Sequence, residues 1–242
     1  AQYGDDEAVV DGGTRWTFRE LRDEASNIGQ TLQAHGVAPG DRVALWAANS
    51  ARWIATSFGV YQAGAVLVPV NTRFKSQEAA HVLRRSGSRF LLGSTDVLGT
   101  DLLALLDEVD DLPALERTVV LDGPDRSNAL SWTEFMRPGP AHAAPERPPR
   151  VRPGDVADII FTSGTTGQPK GAVLAHGPSV RTYLAWTDSV GLRRGDRYLC
   201  VYPFFHTAGL KSAILACVLR GATIVPHAVF EARAVMQRVA DE

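Results

Sequence analysis

Long apolar stretches are missing from this chain, because Asp, Arg, Gly and Pro interrupt every run well short of membrane-spanning length. A large charge of one sign is also missing: the formal net charge is −2, which gives no bias toward nucleic acid or other polyanions. The first residues, Ala-Gln-Tyr-Gly-Asp-Asp-Glu, lack the basic and apolar regions of a secretory signal. With 242 residues and 45% hydrophobic content, the sequence predicts a soluble, cytoplasmic, globular protein of one large or two small domains.

Cysteine and lysine are both scarce. The two cysteines, Cys200 and Cys217, lie in apolar segments without metal-binding or redox spacing, so we expect reduced thiols packed in a core. Only three lysines occur against 22 arginines, a bias that a GC-rich genome explains. A lysine inside a motif is therefore notable, since a compact ammonium fits between phosphate oxygens where a planar guanidinium does not.

One of these lysines lies in the segment Ile160–Gly171, which reads Ile-Phe-Thr-Ser-Gly-Thr-Thr-Gly-Gln-Pro-Lys-Gly. Glycines let backbone N–H groups turn toward a ligand, the hydroxyls add donors, and the lysine adds a fixed positive charge. Such converging donors suit polyphosphate oxygens. A Ser/Thr/Gly surface loop is the alternative interpretation. The candidate nucleotide-binding residues are Thr162, Ser163, Gly164, Thr165, Thr166, Gly167 and Lys170.

This segment is not a Walker A loop, which needs Gly-x-x-x-x-Gly-Lys-Ser/Thr at the start of a helix. Gly164 and Gly167 are too close together, and Lys170 is followed by Gly171. The next residues, Ala-Val-Leu-Ala, predict a strand. A contribution from a helix dipole is therefore not implied.

Alternating periodicities predict an α/β fold made of two lobes of largely parallel sheet covered by helices. In the first lobe, residues 1–136, helices are predicted after Thr17, Ser50 and Ser76 and over Leu98–Leu106, and strands over 42–47, 65–69, 89–93 and 117–121. Six prolines between 137 and 154 predict a linker, or else a long surface loop. The second lobe, residues 155–242, has predicted strands over 156–161, 172–175, 197–202 and 222–226, and helices over 179–190, 210–219 and from 231.

The run Thr162–Gly167 with Pro169-Lys170-Gly171 resembles the phosphate loop of the acyl-adenylate-forming superfamily, which includes acyl-CoA synthetases, luciferases and peptide-synthetase adenylation domains. The runs Gly40–Leu45 and Gly64–Asn71 are similar to framework segments of the same superfamily. The resemblance implies ATP, Mg²⁺ and coenzyme A as cofactors, a small carboxylic acid as substrate, and a chain that is the front part of a large N-terminal domain. It also implies that the adenine contacts, the metal-binding acid and the catalytic lysine lie beyond Glu242, so we expect the fragment alone to be inactive and name no catalytic residue.

A second group of candidate residues is the run Tyr202–Leu210, with two aromatic residues and a histidine after a predicted strand. A packed aromatic corner with a satisfied histidine is the alternative. By resemblance to the superfamily's Pro-Leu-Phe-His element, His206 and Phe205 would line the acyl side of the site. The superfamily's amino-acid-activating domains place an aspartate in this region to pair with the substrate's α-ammonium, whereas this sequence has no acidic residue between Asp196 and Glu231. Because a buried ammonium without a counter-charge is costly, the resemblance implies an acid without an α-amine. Lys211 is expected at a solvated helix position, with contact to an acidic substrate group as the alternative.

Three functions remain open from the sequence. The first is an acid–thiol ligase that forms an acyl-CoA, with a fatty or sterol-derived acid as substrate. The second is an acyl-AMP ligase that loads a carrier protein, or a luciferase-like oxidase. The third is a non-catalytic nucleotide-binding scaffold. We expect no nucleic acid or integral membrane partner, and a homodimer is one oligomeric state left open.

Overall fold

A computed structural model describes residues 2–137, 149–162 and 169–242. The strands are β1 Glu7–Asp11, β2 Thr14–Thr17, β3 Arg42–Trp46, β4 Val66–Pro69, β5 Phe90–Ser94, β6 Arg117–Asp122, β7 Val156–Thr162, β8 Lys170–Ala175, β9 Arg197–Cys200 and β10 Thr223–Pro226. The helices are α1 Phe18–Ala34, α2 Ala51–Gln62, α3 Ser76–Ser86, α4 Trp132–Met136, α5 His176–Val190, α6 Ala216–Arg220 and α7 Ala232–Asp241. None of the helices in these ranges is long and apolar enough to span a bilayer.

The larger of the two sheets has six strands in the order β6-β5-β3-β4-β7-β8. All neighbours are parallel except β7 and β8, which form an antiparallel hairpin. β4 and β5 are buried along their whole lengths, as expected for parallel strands covered on both faces. The predicted α/β class with parallel-rich sheets covered by helices is confirmed.

The smaller sheet has the order β2-β1-β10-β9 and joins the two ends of the chain. β1 pairs in parallel with β10, and the Thr223 hydroxyl donates to the Glu7 carbonyl oxygen at 2.9 Å. In the larger sheet, β7 from beyond the predicted linker pairs with β4 from before it. Each sheet therefore takes strands from both sides of residues 137–154, and the ranges 1–136 and 155–242 do not correspond to separate sheets.

Helix α2 lies between the sheets and contacts β1 of the smaller sheet and β3 and β4 of the larger one. It packs closely on α1 at Gly59, where a Cβ atom would lie 2.7 Å from the Cγ2 atom of Ile28. Ser50 caps α2 by accepting a hydrogen bond from the Trp53 N–H, as predicted. The helix predicted after Thr17 is α1, and Thr17 and Glu20 form a capping box at its start.

Several local predictions differ from the structure. The helix expected over Leu98–Leu106 is reduced to a 3₁₀ turn at Ala104–Leu106, because Leu98 and Gly99 both have positive φ angles. The residue that caps α3 is Lys75, and Ser76 is the first residue of that helix. The helix predicted over 210–219 begins as a π-helical segment, Ala208–Leu215, and continues as α6. β1, β2 and α4 are not among the predicted elements.

Candidate active site

The predicted phosphate loop is flanked by the hairpin of β7 and β8. The register pairs Thr162 with Lys170, so the last residue of one strand lies opposite the first residue of the other. The Thr162 hydroxyl donates to the Lys170 carbonyl oxygen at 3.5 Å, and both residues are exposed. Lys170 therefore belongs to β8, which begins two residues earlier than predicted. Ser163, Gly164, Thr165, Thr166 and Gly167 lie outside the described residues.

The exit of the loop is fastened to helix α3. The Nε2 atom of His81 donates to the Pro169 carbonyl oxygen at 3.1 Å. The same ring meets Phe161 of β7 edge-on, with 6.3 Å between ring centroids. His81 thus contacts both flanks of the loop, although its spacing from other residues in the sequence does not mark it as a ligand.

A cleft of about 870 Å³ opens beside this hairpin. Its lining includes His81, Arg85, Phe161 and Lys170, so residues with cationic side chains and an aromatic ring share one opening next to the loop. A cleft of this composition favours anionic ligands.

The second predicted group follows β9, where the chain turns before the π-helical segment. Phe205 is partly buried and His206 is exposed. The Ala208 N–H donates to the Nδ1 atom of His206 at 3.3 Å, so the neutral ring carries its proton on Nε2 and can donate outward. Gly209 permits this compact turn, since a Cβ atom there would collide with the Pro203 carbonyl group.

Phe204 belongs to the core. It is fully buried against Trp53 of α2, with 5.2 Å between ring centroids. The packed-corner interpretation therefore holds for Phe204, which contributes to the core and not to a pocket wall.

Asn49 fixes the turn that carries Phe205 and His206. Its Oδ1 atom accepts from the Phe204 N–H at 2.7 Å. Its Nδ2 atom donates to the carbonyl oxygens of Tyr202 at 2.9 Å and His227 at 3.1 Å. Sequence reasoning missed this residue because its partners lie 153 to 178 residues away. The local signal is an amide three residues after the end of the apolar strand β3.

A cavity of about 330 Å³ lies where the carboxyl ends of β3, β4, β5, β9 and β10 come together. Phe205 forms part of its wall, and Arg73 and Lys75 contribute cationic side chains. Ligands in open α/β sheets bind outside the carboxyl ends of the strands. Arg73 thus borders this cavity, and its backbone N–H donates to the Asn71 Oδ1 atom at 2.9 Å.

Lys211 is buried, so the prediction that it lies at a solvated helix position is wrong. Its residue exposure is 3%, and its ammonium forms an ion pair with Asp158, which is 0% exposed. The Tyr61 hydroxyl donates to the other oxygen of Asp158, and the ammonium lies 5.5 Å from the centroid of the Tyr61 ring. Burial, reinforced by the negative charge of Asp158, raises the pKa of Tyr61 well above 10.0.

His176, the first residue of α5, borders this cluster. Its ring meets the Tyr61 ring edge-on, with 5.3 Å between ring centroids. Burial lowers the pKa of His176, and the nearby Asp158 carboxylate opposes that shift. A neutral imidazole is therefore favoured beside the ion pair.

The remaining candidates provide no separate site. Cys200 and Cys217 are free and buried, as expected, and burial raises the pKa of both thiols. Such thiols are poor nucleophiles. Within residues 2–137, 149–162 and 169–242, no group of three His, Cys, Asp or Glu side chains could hold a metal ion.

Comparison with known proteins supports one family. The profile of the family described as AMP-binding enzyme matches residues 1–241. A 3-[(3aS,4S,7aS)-7a-methyl-1,5-dioxo-octahydro-1H-inden-4-yl]propanoyl:CoA ligase of Rhodococcus jostii is 40% identical over all of this chain and 48% of its own length. A feruloyl-CoA synthase of an Amycolatopsis species is 32% identical over 97% of this chain and 43% of its own length.

Solved structures agree with the fold. The anthranilate CoA ligase AuaEII, in complex with anthranoyl-AMP, superimposes with a TM-score of 0.87 at 28% identity, over 98% of this chain and 45% of that protein. The N-terminal domain of FACL13 from Mycobacterium tuberculosis gives a TM-score of 0.80 at 26% identity, over 99% of this chain and 57% of that structure. The chain spans about half the length of the curated relatives it matches. The family match, the hairpin at the predicted loop and the shared fold agree, and the chain therefore belongs to the AMP-binding enzyme family.

Proposed function

We propose that this chain holds the phosphate-binding and acyl-facing part of an AMP-forming acid–thiol ligase. The observation that carries the proposal is the β7–β8 hairpin, which places Thr162 opposite Lys170 at the two flanks of the loop. In the first step a substrate carboxylate oxygen bonds to the α-phosphorus of ATP, and the bond to pyrophosphate breaks. In the second step the sulfur of a thiol bonds to the acyl carbon, AMP leaves, and the thiol loses its proton.

In the first step the loop acts on the leaving group. Hydroxyl and amide donors from Thr162 to Gly167, with the Lys170 ammonium, would bind the β- and γ-phosphates and stabilise the charge that builds on pyrophosphate. His81 would keep the loop exit in place through its bond to Pro169. Mg²⁺ would accompany the triphosphate, but the described residues hold no cluster of ligands for it, so no step is assigned to the metal.

On the acyl side, His206 can donate from Nε2 to a carboxylate oxygen. The substrate acid is already ionised at neutral pH, so no general base is needed. The carboxylate of Asp158, which is buried behind this segment, is neutralised by Lys211 and is therefore not available to an α-ammonium. These features favour an acid without an α-amine. The relative from Rhodococcus jostii, a ligase for a bicyclic propanoate, makes a sterol-derived acid the first candidate, and a fatty acid the second.

Coenzyme A is the proposed acceptor. The 330 Å³ cavity combines apolar walls with Arg73 and Lys75, which suits a thiol carried on a phosphorylated arm. A carrier protein bears a similar phosphorylated arm and is the second candidate acceptor. ATP, coenzyme A and reduced buried thiols all fit a cytoplasmic reaction.

The decisive experiment is ATP–pyrophosphate exchange by the full-length protein with a panel of carboxylic acids. Lys170→Ala should lower kcat/KM by about ten- to a hundredfold, since a charge-assisted contact contributes roughly 1.5–3 kcal/mol. The matched control is Arg181→Ala, which removes an exposed cation from α5 and should leave exchange unchanged. Equal exchange in both variants, or exchange with amino acids alone, would contradict the proposal. Subsequent addition of coenzyme A or a carrier protein distinguishes the two acceptors.

A further inference from the structure

The buried ion pair of Asp158 and Lys211 connects three separate elements. Asp158 lies inside β7, Lys211 lies in the π-helical segment Ala208–Leu215, and Tyr61 lies near the end of α2. One carboxylate oxygen accepts from the Tyr61 hydroxyl and the other contacts the Lys211 ammonium. Both oxygens of a fully buried carboxylate thus have partners.

Burying an ion pair in a protein core is energetically less favourable than burying apolar side chains. Removing two charges from water costs several kcal/mol per ion, and apolar replacements of similar volume often give equal or greater stability. Its presence therefore suggests a role in fixing geometry. The backbone around Lys211 supports that role, because π-helical turns are rare and occur frequently at functional sites.

The two charged residues lie close in sequence to the two candidate site segments. Asp158 precedes Thr162 by four positions, so both side chains lie on the same face of β7, about 13 Å apart along the strand. Lys211 follows His206 by five positions. β7 belongs to the six-stranded sheet, whereas the segment with His206 and Lys211 follows β9 of the four-stranded sheet. The pair therefore connects the strand that leads to the predicted phosphate loop with the π-helical segment that follows the turn carrying His206.

We propose that Asp158, Lys211 and Tyr61 form a positioning lock that holds the Thr162 end of β7, which leads into the predicted phosphate loop, in register with the turn carrying Phe205 and His206. Lys211 is buried in this contact and acts through the backbone it anchors. The lock rests on the proposed function, since it fixes the distance between the triphosphate and the acid that attacks it. A misplacement of about 1 Å between reacting groups can cost about a hundredfold in rate.

The test is a double-mutant cycle in the full-length protein with Asp158→Asn, Lys211→Met and the double variant. Each single variant leaves one buried group without its partner and should lower the Tm markedly. The double variant removes both charges and should return the Tm to within about 3 °C of the parent. Its kcat for pyrophosphate exchange should stay about 10- to 100-fold low, with the KM values for ATP and acid within about twofold of the parent.

A surface ion pair provides the matched control. Arg194 and Asp6 also join distant parts of the chain, but the side chain of Arg194 is 62% exposed. The double variant Asp6→Asn/Arg194→Met should leave both Tm and kcat unchanged. If the Asp158→Asn/Lys211→Met variant kept both the Tm and the kcat of the parent, the cluster would have only a structural role and the proposal would be overturned.

Tyr61→Phe keeps the proposal testable if the double variant does not fold. This substitution removes one hydroxyl and should keep the Tm within a few degrees of the parent. It should lower kcat severalfold without changing the KM for ATP. An unchanged kcat would count against the lock. Failure of the proposed function has a different signature, because the parent protein would then show no pyrophosphate exchange with any acid.

Discussion

The side-chain oxygen of Asn49 accepts a hydrogen bond from the backbone N–H of Phe204 at 2.7 Å, although 155 residues separate the two in the chain. The amide of Asn49 donates to the carbonyl oxygens of Tyr202 and His227. One buried side chain thus attaches the turn that carries Phe205 and His206, and the segment after β10, to the segment after β3.

Asn49→Ala should weaken both the fold and substrate binding. It leaves a buried N–H group and two carbonyl oxygens without this partner, at a cost of about 1–3 kcal/mol in the free energy of unfolding. The turn that carries His206 loses its anchor, so the KM for the acid should rise about tenfold, whereas the KM for ATP should not change. Urea unfolding and pyrophosphate exchange measure the two effects. Asn27→Ala, at an exposed position of α1, is the control, and an equal effect there would contradict this role for Asn49.

His81→Leu should raise the KM for ATP about three- to tenfold, because the exit of the phosphate loop loses its bond to helix α3. The chain offers a matched control in His35, whose Nε2 atom donates to the Phe135 carbonyl oxygen at 3.0 Å, away from the loop. Each substitution removes one hydrogen bond from a ring to a backbone carbonyl, at a cost of about 0.5–1.5 kcal/mol. Only the change at residue 81 should alter ATP kinetics. The same KM in both variants would show that His81 has no role in the loop.

The two buried cysteines should make stability fall at alkaline pH. Burial raises the pKa of Cys200 from 9.0 to about 12 and raises that of Cys217 in the same direction. Because the folded-state pKa values lie above the unfolded ones, this stabilisation is complete below about pH 9 and is lost as pH rises toward the folded values.

Urea unfolding between pH 7.5 and pH 10 checks this expectation. By pH 10 the parent should lose roughly 1 kcal/mol per thiol relative to the variant Cys200→Ala/Cys217→Ala. Neither thiol should be alkylated in the folded protein at pH 8, as read by mass spectrometry of the two cysteine-containing peptides. Rapid labelling of the native protein would show that the thiols are accessible.

Most of the fold could be predicted from short stretches of sequence. The capping box of Thr17 and Glu20 and the cap at Ser50 are made within three residues, so their patterns are complete in a short stretch of sequence. The strands of the six-stranded sheet are short apolar runs beside Gly or Pro, which single-sequence reasoning recognises. The candidate loop is predicted from residue chemistry, and its flanking residues Thr162 and Lys170 lie opposite each other in the hairpin.

Features that depend on distant partners could not be predicted. Lys211 is one step inside an apparently ordinary helix pattern, and its burial follows from Asp158, 53 residues earlier. β1 has five residues of mixed polarity, and its partner β10 lies at the other end of the chain. Asn49 and His81 likewise take their roles from carbonyl groups far along the sequence.

The pairing of β1 with β10 also imposes an order on assembly. The Glu7 carbonyl oxygen meets the Thr223 hydroxyl across 216 residues, so during synthesis the first hairpin leaves the ribosome long before its partner exists. A two-stranded ribbon is marginal in water, and contacts of such high sequence separation form slowly. The smaller sheet therefore cannot close before β10 has been synthesised, and until then β1 has an open strand edge of the kind that favours aggregation.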